Sequence, residues 1–289
     1  MPAPELVGRD VELSRLAALV DALGPGPADV LVVSGEAGIG KTALLDALGR
    51  RAAAAGHRVM RGTAVEFEAA IPFGVVEDAL GAAAAPLREG AGLTVERHRS
   101  YRALAAGLGY LAGEGPLVVV LDDLHWADPA SRELVSFLLR HRPDGPLLLA
   151  LAMRPAPADP GLDAAVQRAV REGGCTEMHL GPLDRDSCAL LLGTAVAPGR
   201  REALRALGGG NPFFLLQLAR AADGDLPASV RSAVEEQLRG LAEAPLRMLR
   251  GAAVAGDPFP PALAAAAAGL ADAQAAPALD ALRSAGLVV

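Results

Sequence analysis

The sequence predicts an α/β fold: a five-stranded parallel sheet with helices on both faces, followed by an all-helical stretch. Three observations predict it. Strand and helix signals alternate as far as Leu180. The strand signals are short, continuous apolar runs, the pattern of strands buried on both faces. After Pro182 every periodic segment is helical. Strands separated by helices argue a parallel sheet sandwiched between helix layers.

The elements follow in order. Asp10 is placed to cap a helix whose apolar residues Val11, Leu16, Leu19 and Val20 recur at helical spacing. Residues 29–34 are the first strand, 41–55 a helix, 57–64 the second strand, and 72–85 and 95–112 two helices. Residues 116–123, PLVVVLDD, carry the strongest strand signal in the chain. Asp128 and Pro129 open the next helix, with Asp as cap and Pro in the first turn. The fourth strand is 146–153, a helix is 162–171, and the fifth strand is 176–180. Six further helices are read at 184–196, 199–207, 212–221, 229–241, 244–255 and 260–269. The polar break ADGDLP at 222–227 reads as a domain linker. A last helix from Ala276 runs into residues 286–289, which look like the start of a strand.

Composition narrows the function. The chain has 289 residues, enough for two domains or so. A net charge of −7 and 3% aromatics argue against a strong grip on nucleic acid, which usually shows a basic face with stacking rings. No run of apolar residues is long enough to read as a membrane span, and the amino terminus lacks a secretory pattern, so a cytoplasmic protein is expected. Cys175 and Cys188 have no metal spacing and read as small core residues.

The chemistry centres on GEAGIGKT. Gly35, Glu36, Ala37, Gly38, Ile39, Gly40, Lys41 and Thr42 fit G-x-x-x-x-G-K-[ST] between an apolar strand and a helix, with Ala43 next along. Glycines let such a loop close round an anion with its backbone N–H groups pointing inward, and the following helix adds its positive end. Lys41 is the only lysine among 27 cationic residues; the other 26 are arginine. A compact ammonium suits the β- and γ-phosphates of a nucleotide where a planar fork does not. Thr42 offers a hydroxyl to Mg²⁺.

Such a loop needs an acid on its metal side. Asp122, at the carboxyl end of the third strand, is the candidate second magnesium residue. Asp123 could orient or deprotonate an attacking water, or be a plain turn aspartate. Trp126 reads as a packing anchor, Asp128 as a helix cap, and His125 is left between a structural hydrogen bond and a chemical role. Arg154, at the tip of the fourth strand, can reach a γ-phosphate and report its loss. Asn211, the only asparagine, reads as a helix cap followed by Pro212 in the first turn.

In this order, the VGR of residues 7–9, GEAGIGKT, VVVLDDLHWAD, the arginine after strand four and GNPFF resemble the STAND class of signal-transduction P-loop ATPases, near the AAA+ proteins. The LDDLHWADPAS wording is most similar to the ATPase module of large ATP-binding LuxR-family transcriptional regulators. The resemblance implies a P-loop NTPase core of three α/β/α layers (1–182), a helical lid (183–223) and a winged-helix domain (226–289) that stops short. It implies that Val7, Gly8 and Arg9 lie near the adenine and that Pro212 packs on the base. Arg154 matches the sensor arginine, and ATP or ADP with Mg²⁺ are the expected cofactors. No arginine finger is found, and the repeat domain and carboxyl-terminal helix-turn-helix of the longer members are absent from these residues. The expected activity is therefore a slow, Mg²⁺-dependent ATP hydrolase acting as a signalling switch. Nucleotide is the expected partner, with self-association in the ATP state, no membrane, and DNA only through domains outside this chain. Two alternatives stand beside it: an origin-recognition-like AAA+ ATPase that binds DNA, and a scaffold that holds ADP without hydrolysing it.

Overall fold

A computed structural model of the chain describes residues 6–89, 94–154, 160–221, 226–256, 258–285 and 287–288. The α/β part runs through α1 (Asp10–Asp21), β1 (Asp29–Gly35), α2 (Lys41–Ala54), β2 (Arg58–Thr63), α3 (Gly74–Leu80), α4 (Ala85–Glu89), α5 (Thr94–Gly113) and β3 (Leu117–Asp122). It continues through α6 (Pro129–Arg140), β4 (Leu147–Met153), α7 (Pro160–Arg171) and β5 (Cys175–Leu180). The helical part is α8 (Arg185–Leu192), α9 (Pro198–Gly208), α10 (Pro212–Arg220), α11 (Ala228–Arg239), α12 (Glu243–Ala255), α13 (Pro261–Ala267) and α14 (Asp272–Ser284).

The five strands pair in the order β2-β3-β4-β1-β5, and every pairing is parallel. The pleat sends alternate residues to opposite faces. Val30, Val32, Leu117, Val119 and Leu121 join one core with α3, α5, α6 and α7. Leu31, Val33, Val118, Val120 and Leu148 join the other with α1 and α2, through Leu16, Leu44, Leu45 and Leu48. This is the predicted three-layer P-loop NTPase fold. It brings the carboxyl ends of β1 and β3 near one another, with β4 between them. Gly62 on β2 allows the close approach of α3, because a Cβ there would lie 2.1 Å from the Val75 carbonyl oxygen.

The helical part has its own apolar clusters. Leu183, Cys188, Leu192, Leu204 and Leu215 form one across α8–α10. Met248, Ala252, Ala264, Leu270 and Leu282 form another across α12–α14.

Several boundaries differ from expectation. Asp10 does not cap α1; it is the first helical residue, and Arg9 holds the cap position without a side-chain bond. The helix expected over 72–85 breaks at Gly81, whose φ of +53° ends α3 before a short 3₁₀ turn. The helix expected over 184–196 stops at Leu192 because Gly193 turns to φ +68°. The final helix begins at Asp272, not Ala276; Pro277 lies inside it. Leu287 and Val288 form no strand, while Gly286 and Val289 lie outside the described residues. Most of the linker reading also falls there, at 222–225, as does Pro155. Among the described residues, no single helix is long and apolar enough to cross a membrane.

Candidate nucleotide-binding site

The GEAGIGKT loop leaves the carboxyl end of β1 and turns directly into α2. Gly38 and Gly40 take φ values of +74° and +107°, which an L side chain resists. At Gly38 the space is also closed, since a Cβ would sit 2.6 Å from the Phe213 Cβ. At Gly40 a Cβ would meet nothing within 4 Å, so backbone conformation alone demands glycine. Lys41 is 6% exposed and folds back over the loop, its Nζ donating to the carbonyls of Gly35 at 2.9 Å and Glu36 at 2.8 Å. Burial holds its ammonium below the usual lysine range, opposed by the charge of Asp123 and reinforced by that of Arg154. Glu36 is pushed up by burial, with His179 and Lys41 pulling back. Thr42 and Ala43 are exposed on the first turn of α2.

On the acid side, Asp122 is fully buried. One carboxylate oxygen, Oδ1, accepts the Asp123 amide at 2.9 Å; the other, Oδ2, accepts Arg61 Nη2 at 3.0 Å. Arg61 also pairs with Asp46 of α2. The pleat explains the meeting. Val118, Val120 and Val59 pack on the α2 side, so Asp122 and Arg61, each two residues further on, face the same side. Asp123 has φ +53°, the left-handed conformation that Asp tolerates better than most residues. Burial, then the neighbouring Asp122 charge, raise its carboxyl above the usual range. Among the described residues no cluster of three or more His, Cys, Asp or Glu could cage a metal by itself. A hydroxyl and a carboxylate fit Mg²⁺, which takes few protein ligands and completes its shell with water and phosphate.

Arg154 pairs with Glu236 on α11, and its guanidinium lies 5.5 Å from the centre of the Trp126 ring. Trp126 thus packs on the core as expected and also steadies Arg154. Asp128 caps α6 by accepting the Ser131 amide at 2.9 Å. Asn211 caps α10 by accepting Phe213 N–H at 3.1 Å. It has a second role unforeseen from sequence: its Nδ2 donates to the Ala37 carbonyl at 2.8 Å, while Phe213 N–H reaches the Gly38 carbonyl at 3.3 Å. The start of α10 therefore rests on the phosphate loop.

A second compartment adjoins the loop. Val7, Arg9, Ile39, Gly40, Ala43 and Pro212 line a mostly apolar cavity of about 210 Å³, with Leu183 and Leu216 from the helical part. Arg9 is buried. Its Nη2 donates to Gly181 at 2.6 Å and Ile39 at 3.3 Å, and its Nη1 pairs with Glu12 at 3.3 Å. Gly8 lies against α8, where a Cβ would come within 2.5 Å of the Ser187 side chain. The structure thus groups the candidate residues in two places, Lys41, Asp122, Asp123 and Arg154 in one and mostly apolar residues around Arg9 in the other. Sequence reasoning missed Arg61, Asp46 and Glu236. Period-two spacing from Val59 could have placed Arg61 on the α2 face; no local signal could have found Glu236.

A buried-lysine phosphate loop on a parallel sheet, with an aspartate at the end of the next strand but one, defines the P-loop NTPase class. The AAA ATPase domain family matches residues 5–150, and the chain belongs to that family. A protein of Rhizobium meliloti named only as uncharacterized is 26% identical over 87% of this chain. The chain spans 30% of that relative's length. Among solved structures, the ORC2 protein of Aeropyrum pernix in its ADP form is 19% identical, with TM-score 0.55 over 99% of this chain and 87% of its own. A STAND protein with a tetratricopeptide repeat sensor from Pyrococcus horikoshii is 19% identical, with TM-score 0.47 over 93% of this chain and 40% of its own.

Proposed function

We propose that the chain is an ATP-binding, slowly hydrolysing switch, the ATPase module of a cytoplasmic regulator of the LuxR type. One observation carries the proposal: the GEAGIGKT backbone turns round the buried Lys41 beside Asp122 and Asp123. In this reading the loop from Gly35 to Thr42 and Ala43 holds the phosphates, while Val7, Gly8, Arg9 and Pro212 surround the base. Thr42 and Asp122 would hold Mg²⁺, which neutralises charge developing on the β- and γ-oxygens. Asp123 orients or deprotonates the water. The LDDLHWADPAS and GNPFF segments support the regulator assignment, and the separate apolar clusters of α8–α10 and α12–α14 support a lid and a further domain.

The Arg154–Glu236 pair supports the switch. The arginine assigned to the γ-phosphate is held by a helix beyond the lid, and Arg239 of the same helix pairs with Glu66 after β2. A γ-phosphate competes for Arg154 and so changes what holds α11. To move a balance from 1:99 to 99:1, a ligand must prefer one state by about 10⁴-fold. Calorimetric titration with ATP and ADP in Mg²⁺ tests the reading, together with turnover of the isolated chain. Binding with turnover well below about one per second supports a switch. Failure to bind either nucleotide overturns the reading. Salt-dependent duplex binding would favour the origin-recognition alternative instead.

A further inference from the structure

The turn after β3 satisfies most of its polar groups. Asp122 is bonded to Arg61 and to the Asp123 amide, and Asp128 to Ser131. His125 is the exception. Its side chain is only 9% exposed, yet neither ring nitrogen has a hydrogen-bond partner. Nδ1 lies 3.8 Å from the nearer Asp123 oxygen, beyond hydrogen-bond reach. Trp126 lies against the ring, with centroids 5.1 Å apart. A buried polar group without a partner carries its whole desolvation penalty, and such groups in native proteins call for a reason.

The surroundings supply one. Burial first, then Arg154 and Lys41, push the imidazole down to about 3, so the ring is neutral at physiological pH. The two cations that act on it are those assigned to the phosphate end of the site. A neutral ring beside them offers a directional hydrogen bond without adding charge where charge is already supplied. Asp123, the candidate base, stands next to it.

We propose that His125 is a catalytic residue that, with Asp123, holds the attacking water at the γ-phosphate. This rests on the ATPase reading above. In the step, the water oxygen bonds to the γ-phosphorus as the bond from phosphorus to the β–γ bridging oxygen breaks. ADP leaves with that electron pair and the water proton passes to Asp123. His125 begins and ends neutral, positioning the water through a ring nitrogen.

The test uses the whole chain, with single-turnover ATP hydrolysis and binding of a fluorescent ATP analogue measured side by side. H125F keeps the volume and loses the hydrogen bonds. It is expected to bind within about twofold of the parent and to hydrolyse about 10²-fold more slowly. H125Q can still donate and accept, and is expected to recover to within about tenfold. Should H125F not fold, H125A decides by the same two readouts. A ring that merely packs gives other results: H125F at the parental rate, or both variants losing ATP binding and thermal stability together. Either overturns the assignment. A parent chain that binds ATP but never hydrolyses it overturns the switch reading and this role with it; parental turnover left intact in H125F overturns this role alone.

Discussion

The two ends of the candidate site are built on opposite terms. At the end proposed for the base, Val7, Ile39, Pro212 and Leu216 give the cavity a mostly apolar lining, with Arg9, Asp46 and Arg50 at its wall. At the phosphate end, nearly every charge already has an internal partner. Lys41 is folded onto its own loop, Asp122 is tied to Arg61, and Arg154 to Glu236. The difference follows from dielectric physics. An apolar wall stands unfilled at modest cost, whereas a buried charge without a counter-charge does not. In the proposed reading, nucleotide would therefore enter the base end largely by addition and the phosphate end by exchange. In the switch reading, that exchange would pass occupancy to Asp46 on α2, through Arg61, and to α11, through Glu236.

The largest break comes from removing the ammonium. Lys41→Ala should lower ATP affinity by at least about 10³-fold in calorimetry, because the phosphates lose their buried cation. Lys41→Arg should not restore it, since a planar fork does not fit where Nζ lies between two loop carbonyls. Undiminished ATP affinity in Lys41→Ala would end the nucleotide reading altogether.

Next in size is Arg61→Met. It strips the ion-pair partner from a fully buried carboxylate, and breaking such a pair from one side costs about 3 kcal/mol. The distinctive expectation is partial rescue. Mg²⁺ with ATP would supply a new counter-charge at Asp122, so the deficit in thermal unfolding should narrow more in the variant than in the parent. A deficit that ATP and Mg²⁺ leave unchanged would show that Arg61 and the metal do not share Asp122.

These two positions also show what sequence could tell. Lys41 was legible because the loop motif is local: eight consecutive residues, a preceding apolar run and a following helix define it. The sheet was legible for a similar reason, since β3 and β4 are buried end to end and β1 carries a continuous buried apolar run from Val30 to Val33. Arg61 was not, because RVMRGT holds two arginines and only the pleat and the packing on α2 separate the exposed Arg58 from the one facing Asp122. Glu236 lay further out of reach. It is 82 positions from Arg154, in a helix where acidic residues read as a solvated face. The Asn211 bond to Ala37 was hidden in the same way, as a tertiary contact made by a residue whose local role as a cap was already a sufficient account.

Glu236→Gln sharpens the comparison by a smaller amount. Partly exposed ion pairs contribute up to about 1 kcal/mol, so freeing Arg154 should raise ATP affinity by at most about fivefold. ADP has no γ-phosphate, and its affinity should stay where it is. Parallel titrations with the two nucleotides decide the matter: equal gains for both would mean that Glu236 acts on the lid or loop in general and not through Arg154.

The smallest effect is on stability and carries a sign. Without nucleotide, Asp123 is held partly buried beside Asp122, and its carboxyl is raised above the ordinary range by burial and then by that neighbour. A raised acid binds its proton more tightly in the folded than in the unfolded chain. Its contribution is therefore favourable below the unfolded value, near 3.9 for a free aspartate, and is lost as pH rises through the folded value. At neutral pH the ionised Asp123 is a net cost to the fold. Asp123→Asn removes that charge and keeps a side chain suited to φ +53°. Thermal unfolding of the nucleotide-free variant should rise by about 1–2 °C at pH 7, with the gain fading as pH falls through the raised folded value and gone by about pH 4. A loss of stability at pH 7, or a gain that grows on acidification, would mean that Asp123 is satisfied in the folded chain and that the phosphate end carries no charge awaiting a ligand.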